Sequence, residues 1–486
     1  MEPLNWFGAP GDILAWPFLI TAGLFALGVA ASLTGYFGAV VASMFGADGA
    51  KAASSNFSSL AISLARWPGL ALVVVILAFC LMALAYAPQD RGVAGNVFIR
   101  FGPVWIAMIT LFTVSIAFKG RLGLYGKIFD STVGMIGLAL VLFWVFTALF
   151  ASVFDMISTH DALGQVSGMK NKVPGTVLSG AEDGEYPWYL FGGDNLARDV
   201  FSRMVEGSIV VITIAPLATF FGYIVGITLG LPAGYYGGRL DTFLSFLANL
   251  ILAFPVILLF YLLVTPEIVQ TGLPNYMAAV FFVFPLVFLT VLLNSRYHVL
   301  PHIRTPLLAI VLAIGVWIYL MTISDMDRPQ PVLVDILPES LDFFDIPGGV
   351  LVVFIAVVFV NSPTIFRIMR GLTLDVKNRD YVAAAQTRGE TPWYIMLWEI
   401  LPNVRGPLIV DFCLRIGYAT ILLGTLGFFG LGLPPESPDW GSTINAGRKL
   451  LSVYLHPAIA PAMALLSLVL GLNLLADGLR EQSLKD

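Results

Sequence analysis

Long apolar runs separated by short polar breaks cover most of the chain, and their lengths decide the kind of element they form. A helix needs about 18 mostly apolar residues to cross ~30 Å of hydrocarbon. Eleven stretches reach that length, at roughly 13–36, 68–87, 100–118, 131–154, 207–231, 243–264, 276–293, 306–323, 348–366, 405–430 and 454–476. Each predicts a membrane-crossing helix. The first can run on to Phe45 as a tilted or broken helix. Phe254-Pro255 predicts a kink in the sixth, because proline removes a ladder donor that neighbouring helices must make good.

Residues 380–403, DYVAAAQTRGETPWYIMLWEILPN, break this pattern. Asn378 or Asp380 can cap a first helix, and Gly389 supplies the left-handed residue that ends it. Thr391 and Pro392 read as the N-cap and first position of a second helix. That helix carries Trp393, Met396, Leu397, Ile400 and Leu401 at helical spacing and is expected to stop at Pro402, which cannot continue the ladder. The pattern predicts two short helices at an angle, outside the bilayer. Two readings fit: an amphipathic pair resting on lipid, or an element that docks its apolar face on another protein.

Composition narrows the class. Of 486 residues, 58% are hydrophobic and 12% charged, and the mean hydropathy is +0.86. These values describe an all-α polytopic membrane protein with no visible soluble domain. The net charge of −5 and the scattered basic residues exclude a nucleic-acid footprint. The first Lys is at position 51, so the basic region of a secretory signal peptide is missing and the first apolar segment is expected to be retained. Cys80 and Cys413 lie in apolar segments, where a thiol behaves as a small hydrophobe and says nothing of redox compartment.

Orientation follows from Lys and Arg. With the N-terminus outside, 16 of the 26 fall in inner loops and 9 in outer loops, and Arg415 is left inside a helix. Four of those outer residues lie in the long 155–206 loop, where the bias is weak. Residues 380–403 and the C-terminus are thus expected in the cytoplasm. A second outer loop, 324–347, is acidic, with Asp325, Asp327, Asp335, Glu339, Asp342 and Asp345 against Arg328. It reads either as a solvated loop or as a docking rim for a soluble solute-binding protein.

Candidate chemistry is sparse. Asp411 and Arg415 are four apart, share a helix face and can pair. A charge in a membrane helix costs about 2.5–3.5 kcal/mol even on a lenient scale, and such residues usually face a bundle interior or a water-filled path. The pair is expected either to line a translocation path or its inner gate, or to be structural. His298 and His302 are separated by Pro301 and flanked by Arg296 and Arg304, a poor metal pair, and His160 and His456 are isolated. No hydrolytic or zinc motif is present, and no phosphate-binding Gly-x-x-x-x-Gly-Lys-Ser/Thr loop, so neither a catalytic residue nor a metal or cofactor ligand is expected on this chain.

The run Ala383, Ala384, Ala385, three residues, Gly389, then Leu401-Pro402 resembles the coupling motif of ABC importer permeases, which usually reads Glu-Ala-Ala, three residues, Gly, with Leu-Pro farther on. Ala383 stands where Glu is usual, and Glu399 near a usually apolar place. GGDNLARDVFSRMVEGS at 192–208 resembles a block of the C-type subunit of dipeptide and oligopeptide permeases, with Gly193 in a Thr place and Ala197 in the second Gly place. LPAGYYGGRLDTF at 231–243, AFP at 253–255 and LGTLGFFGLGLPPESPDWGSTINAGR at 423–448 resemble the same subfamily, in its order.

The resemblance implies a six-helix type I importer permease core plus about five additional transmembrane helices. The implied divisions are an N-terminal extension of three helices at 1–120, a first core part at 121–264 with the 155–206 loop, an inserted two-helix segment at 265–347, and a second core part at 348–486 with coupling helices at 378–402. The additions are expected to be peripheral packing or a docking or regulatory element. The resemblance further implies ATP-driven uptake of peptides, or of nickel complexes or oligosaccharides, across the bacterial inner membrane. It implies a second related permease, one or two cytoplasmic ATPases that carry ATP and Mg, an outer solute-binding protein and surrounding lipid. Asp380, Tyr381, Ala383, Ala384, Ala385, Gly389, Trp393, Leu401 and Pro402 are the implied coupling residues. An ion-coupled secondary transporter is the rival, though it would usually place carboxylates at the membrane midplane.

Overall fold

In the computed structural model the described residues are 2–44, 48–178, 180, 184–324, 348–431, 433 and 437–483. The acidic 325–347 stretch read as a loop or docking rim lies outside them. Six helices come first: α1 (Gly8–Met44), α2 (Asp48–Ala85), α3 (Gly92–Arg100), α4 (Gly102–Ala117), α5 (Gly123–Lys127) and α6 (Thr132–Ser152). A loop then carries β1 (Thr176–Val177) antiparallel to β2 (Trp188–Tyr189). Next follow α7 (Val200–Tyr236), α8 (Gly238–Leu252), α9 (Val256–Val264), α10 (Pro266–Gln270), α11 (Leu273–Phe281), α12 (Val283–Arg296) and α13 (Pro301–Ser324). The last part holds α14 (Gly348–Val376), α15 (Asp380–Thr387), α16 (Pro392–Tyr394), α17 (Leu401–Asn403), α18 (Arg405–Phe429), α19 (Trp440–Arg448) and α20 (His456–Ser483).

Among the described residues nine helices are long and apolar enough to cross a bilayer, and two broken pairs raise the number to eleven. All eleven expected positions are occupied, with three corrections. The second helix starts at Asp48 instead of 68, because its serine-rich first turns pack on α1, where the Ser58 hydroxyl donates to the Ser32 carbonyl at 3.0 Å. The third is interrupted at Phe101, between α3 and α4. The sixth is two helices, α8 and α9, meeting at 81° around Ala253–Pro255, a break where a kink was expected.

One compact unit comprises 1–103 and 164–201, and a second 104–163 and 202–486. In the first, α1 and α2 form a hairpin, and Asp194 ties its loop: the carboxylate accepts from the Leu196 and Arg198 amides and pairs with Arg198 Nε at 2.7 Å. In the second, α14 is the most enclosed span, wrapped by α7, α9, α11 and α18 through Ala218, Phe260, Ala278, Val357 and Leu423.

Close helix approach there follows from glycine. Gly222, Gly226, Gly230 and Gly234 recur every four residues on α7, and a Cβ at Gly226 would stand 2.5 Å from Ile365 Cγ2 of α14, one at Gly230 2.8 Å from Met369 Cβ, and one at Gly234 2.6 Å from Thr373 Cβ. Apolar side chains gain nothing by leaving lipid for one another, so membrane helices associate by backbone proximity and van der Waals contact. α11 also belongs to this core: Phe281 and Phe282 meet Phe359 and Phe354 of α14 at 6.1 and 6.0 Å. Within 265–347, α11 packs on the central span while α13 exposes its apolar surface.

Candidate coupling site

The 380–403 segment begins with α15, whose N-cap is Arg379 in an extended conformation without a side-chain cap. Neither Asn378 nor Asp380 caps it. Asp380 is instead the first helical residue, where a negative charge favours the positive end of the helix dipole. The helix ends in a Schellman turn: Gly389 at φ +78° donates to the Gln386 carbonyl (2.9 Å) and Glu390 to that of Ala385 (3.2 Å). Thr391 caps the second arm, its hydroxyl accepting from the Tyr394 amide at 3.4 Å, with Pro392 next. Both of those assignments follow the sequence.

The second arm does not stop at Pro402. It passes through a π-helical stretch, Ile395–Ile400, and continues through α17 to Asn403, with the break at Val404 (φ −102°, ψ 8°). Pro402 offers no N–H to the carbonyl four residues back and its ring crowds that carbonyl, so a wider turn ahead of it relieves the clash. The Asn403 side chain then donates to the Glu399 carbonyl at 2.7 Å.

The apolar face points inward. Met396, Leu397 and Ile400 are buried in one cluster with Tyr223 and Leu231 of α7, Ile365 and Met369 of α14, and Leu408 of α18, while Trp393 and Leu401 pack at its edge. This corrects the expectation that the apolar face docks on another protein. Ala385 is fully buried and Tyr381 partly so, whereas Asp380, Ala383, Ala384, Gly389 and Pro402 are exposed together with Gln386, Thr387 and Arg388. The outer face is polar and shallow. Arg388 crosses between the arms to Glu399 (Nη2 to Oε1, 2.6 Å), so the unusual Glu399 closes the pair upon itself. The Tyr381 hydroxyl is buried and finds no hydrogen-bond partner among the described residues, and that burial raises its pKa.

Just beyond, Asp411 and Arg415 of α18 pair as expected (3.3 Å), and a third member joins them. Tyr223 of α7 donates to Asp411 Oδ2 at 2.5 Å and belongs to the cluster that holds the second arm of the elbow. Periodicity within one helix could not reveal it. The GxxxG ladder of α7, which brings that helix against α14, was the available signal.

Two of the quoted blocks also meet. Arg203, from the 192–208 block, is buried and donates to the Ser437 carbonyl (3.0 Å) and Thr443 Oγ1 (3.2 Å), and Trp440 Nε1 donates to the Met204 carbonyl (2.8 Å). Their chemistry is helix fixation. Among the described residues no group of three or more His, Cys, Asp or Glu could hold a metal.

A bundle of apolar spans with an exposed polar elbow seated on its core helices describes a multi-pass membrane protein. The sequence model of the family described as binding-protein-dependent transport system inner membrane component matches residues 226–483, and the chain belongs to that family. It is 27% identical over 293 residues to the glutathione transport system permease protein GsiD of Pectobacterium atrosepticum, covering 60% of this chain and 71% of that one. Its identity to the GsiD of Escherichia coli O157:H7 is 28% over 293 residues, with the same coverage. To the dipeptide transport system permease protein DppC of Haemophilus influenzae it is 26% over 299 residues, covering 62% of this chain and 75% of that one. The chain is a multi-pass membrane permease component of a binding-protein-dependent transport system.

Proposed function

We propose that this chain is one of two permease subunits of an ATP-driven ABC importer of peptides or similarly sized solutes, and that its 380–403 elbow docks on a cytoplasmic ATPase. One observation carries the reading: the elbow's inner face is fused to α7, α14 and α18, and its outer face, from Asp380 to Pro392, is left exposed and polar. A rigid elbow held in this way converts displacement of a docked subunit into tilting of the core helices. Ala383, Ala384, Gly389 and Pro402 are the contact residues, and Ala385, Trp393 and Leu401 anchor the elbow. Tyr381 spans the two faces. Asp411, Arg415 and Tyr223, which adjoin the same cluster, form the inner gate. ATP and Mg belong to the ATPase chains, the N-terminus lies outside and the C-terminus in the cytoplasm, and a second permease and an outer binding protein complete the importer.

Purification from native membranes tests the reading: an ATPase and a second permease should accompany the chain, and uptake into vesicles should require ATP. Uptake driven by an ion gradient alone overturns it. Alanine at both Asp411 and Arg415 should uncouple uptake from hydrolysis, and unchanged uptake would remove the gate assignment.

A further inference from the structure

The inserted helix α12 ends against the coupling elbow. Phe288, Val291 and Leu292 pack on the cluster that contains Met396 and Ile400. Beyond them the contacts turn polar and specific. Ser295, only 2% exposed, accepts a hydrogen bond from Trp398 Nε1 at 3.1 Å, and the Arg296 guanidinium lies over the same indole, 4.8 Å from its centroid. His298, held by the Ser295 carbonyl at 2.9 Å, meets the Tyr394 ring edge to face at 5.8 Å, with Nε2 3.9 Å from Glu390 Oε2. Glu390, Tyr394 and Trp398, spaced four residues apart at the start of the second arm, therefore touch the end of α12 and the turn that follows it.

Apolar packing alone would leave the arm free to roll about its axis. A hydrogen bond and a cation over one face of Trp398 fix the rotation, because both demand a particular ring orientation. α11 meanwhile packs on α14, so the insertion grips the elbow at one end and the central span along its length. We infer that the inserted α11–α13 segment is a bracket that sets the angle of the second coupling arm, with Ser295, Arg296 and His298 as positioning residues for energy coupling. The inference rests on the coupling role proposed above. Its consequence is that the insertion sets how tightly hydrolysis on a partner ATPase is tied to helix movement in this chain.

The test uses the assembled importer in proteoliposomes, with basal and binding-protein-stimulated ATP hydrolysis measured separately. Ser295→Ala combined with Arg296→Gln should lower the stimulated-to-basal ratio about threefold to tenfold, the range expected for loss of one hydrogen bond and one cation–π contact. Co-purified ATPase and the thermal midpoint should stay as in the native chain. Arg296→Lys, which keeps a cation over the ring, should keep the ratio, whereas a purely packing role for the side-chain stem would treat Lys and Gln alike. Trp398→Phe, which keeps a ring and loses the N–H, gives an independent reading if the double variant fails to assemble. A native ratio in the double variant and in Trp398→Phe overturns the bracket, as does equal loss with Lys and Gln. Failure of the native chain to retain any ATPase is a different result, and it overturns the coupling role and the bracket together.

Discussion

Ala197 holds φ at +63°, a left-handed conformation that costs an ordinary L-residue about 1–2 kcal/mol. It occupies the place where the related block has Gly, and its neighbours explain the conformation: Asp194 accepts from both Leu196 and Arg198, which curls the chain around its carboxylate. Ala197→Gly should therefore stabilise the chain by about 0.5–1 kcal/mol, read as a higher thermal midpoint in detergent. Gly389 is the converse case. Its φ of +78° meets open space, so Gly389→Ala costs only backbone strain, about 1 kcal/mol, and should disturb ATPase coupling more than membrane insertion. Ala383→Glu, at an exposed position, should likewise alter ATPase retention without altering insertion, and equal effects on both would sink the contact assignment. Asp439 adds a pH dependence. It caps α19 through the Ser442 amide (2.9 Å), and burial raises its pKa above 3.8 despite that bond and the charge of Arg203. A carboxyl raised on folding contributes stability that is full below its unfolded pKa and is lost as pH rises through the folded value. Asp439→Asn, an equally good cap, should flatten stability over that window, and Asp439→Ala should flatten it too while running about 1 kcal/mol below the Asn variant, both read by thermal unfolding against pH.

At the scale of elements, the α7–α14 contact rests on a backbone approach that only missing side chains permit. Gly226→Leu would drive a branched side chain into Ile365 and the Phe366 amide, and should separate the two helices. The expected outcome is a loss of several kcal/mol, measured as a collapse of the folded yield and not as a specific transport defect. The same four-residue spacing was written in the chain as Gly222, Gly226, Gly230 and Gly234, yet window hydropathy counts glycine as a weak apolar residue and passes over it. Helix ends were more legible. Thr391, Pro392 and Gly389 signal caps through local hydrogen bonding and backbone freedom, so they could be assigned from neighbours alone. The cap at α15 was not, since Arg379 ends the preceding turn with no side-chain bond and composition carries no mark of that. The wide turn ahead of Pro402 was equally hidden, because proline predicts that a ladder is disturbed and leaves open whether the helix ends or bulges.

For the whole molecule, the eleven spans and the polar 380–403 elbow could be read from the chain, because a bilayer imposes length and polarity on each segment separately, whereas the sixth segment was read as kinked and is broken. The contact of Ser295 and His298 with the elbow places the α12–α13 turn and residues 380–403 on one side of the bundle, as the Lys and Arg distribution requires. Cysteine labelling from either side of sealed vesicles should therefore give the same answer at 300 and 384, and opposite labelling would refute the topology. Residue order alone determined the class of protein, its approximate span positions, and the Thr391 cap and left-handed glycine of the elbow, all of which follow from local periodicity and solvent. Only the tertiary structure decided which way the elbow's apolar face turns, that Tyr223 joins Asp411 and Arg415, and that the end of α12 meets Trp398. Those depend on which helices become neighbours, and in a chain apolar on nearly every face hydrophobic patterning cannot choose among neighbours.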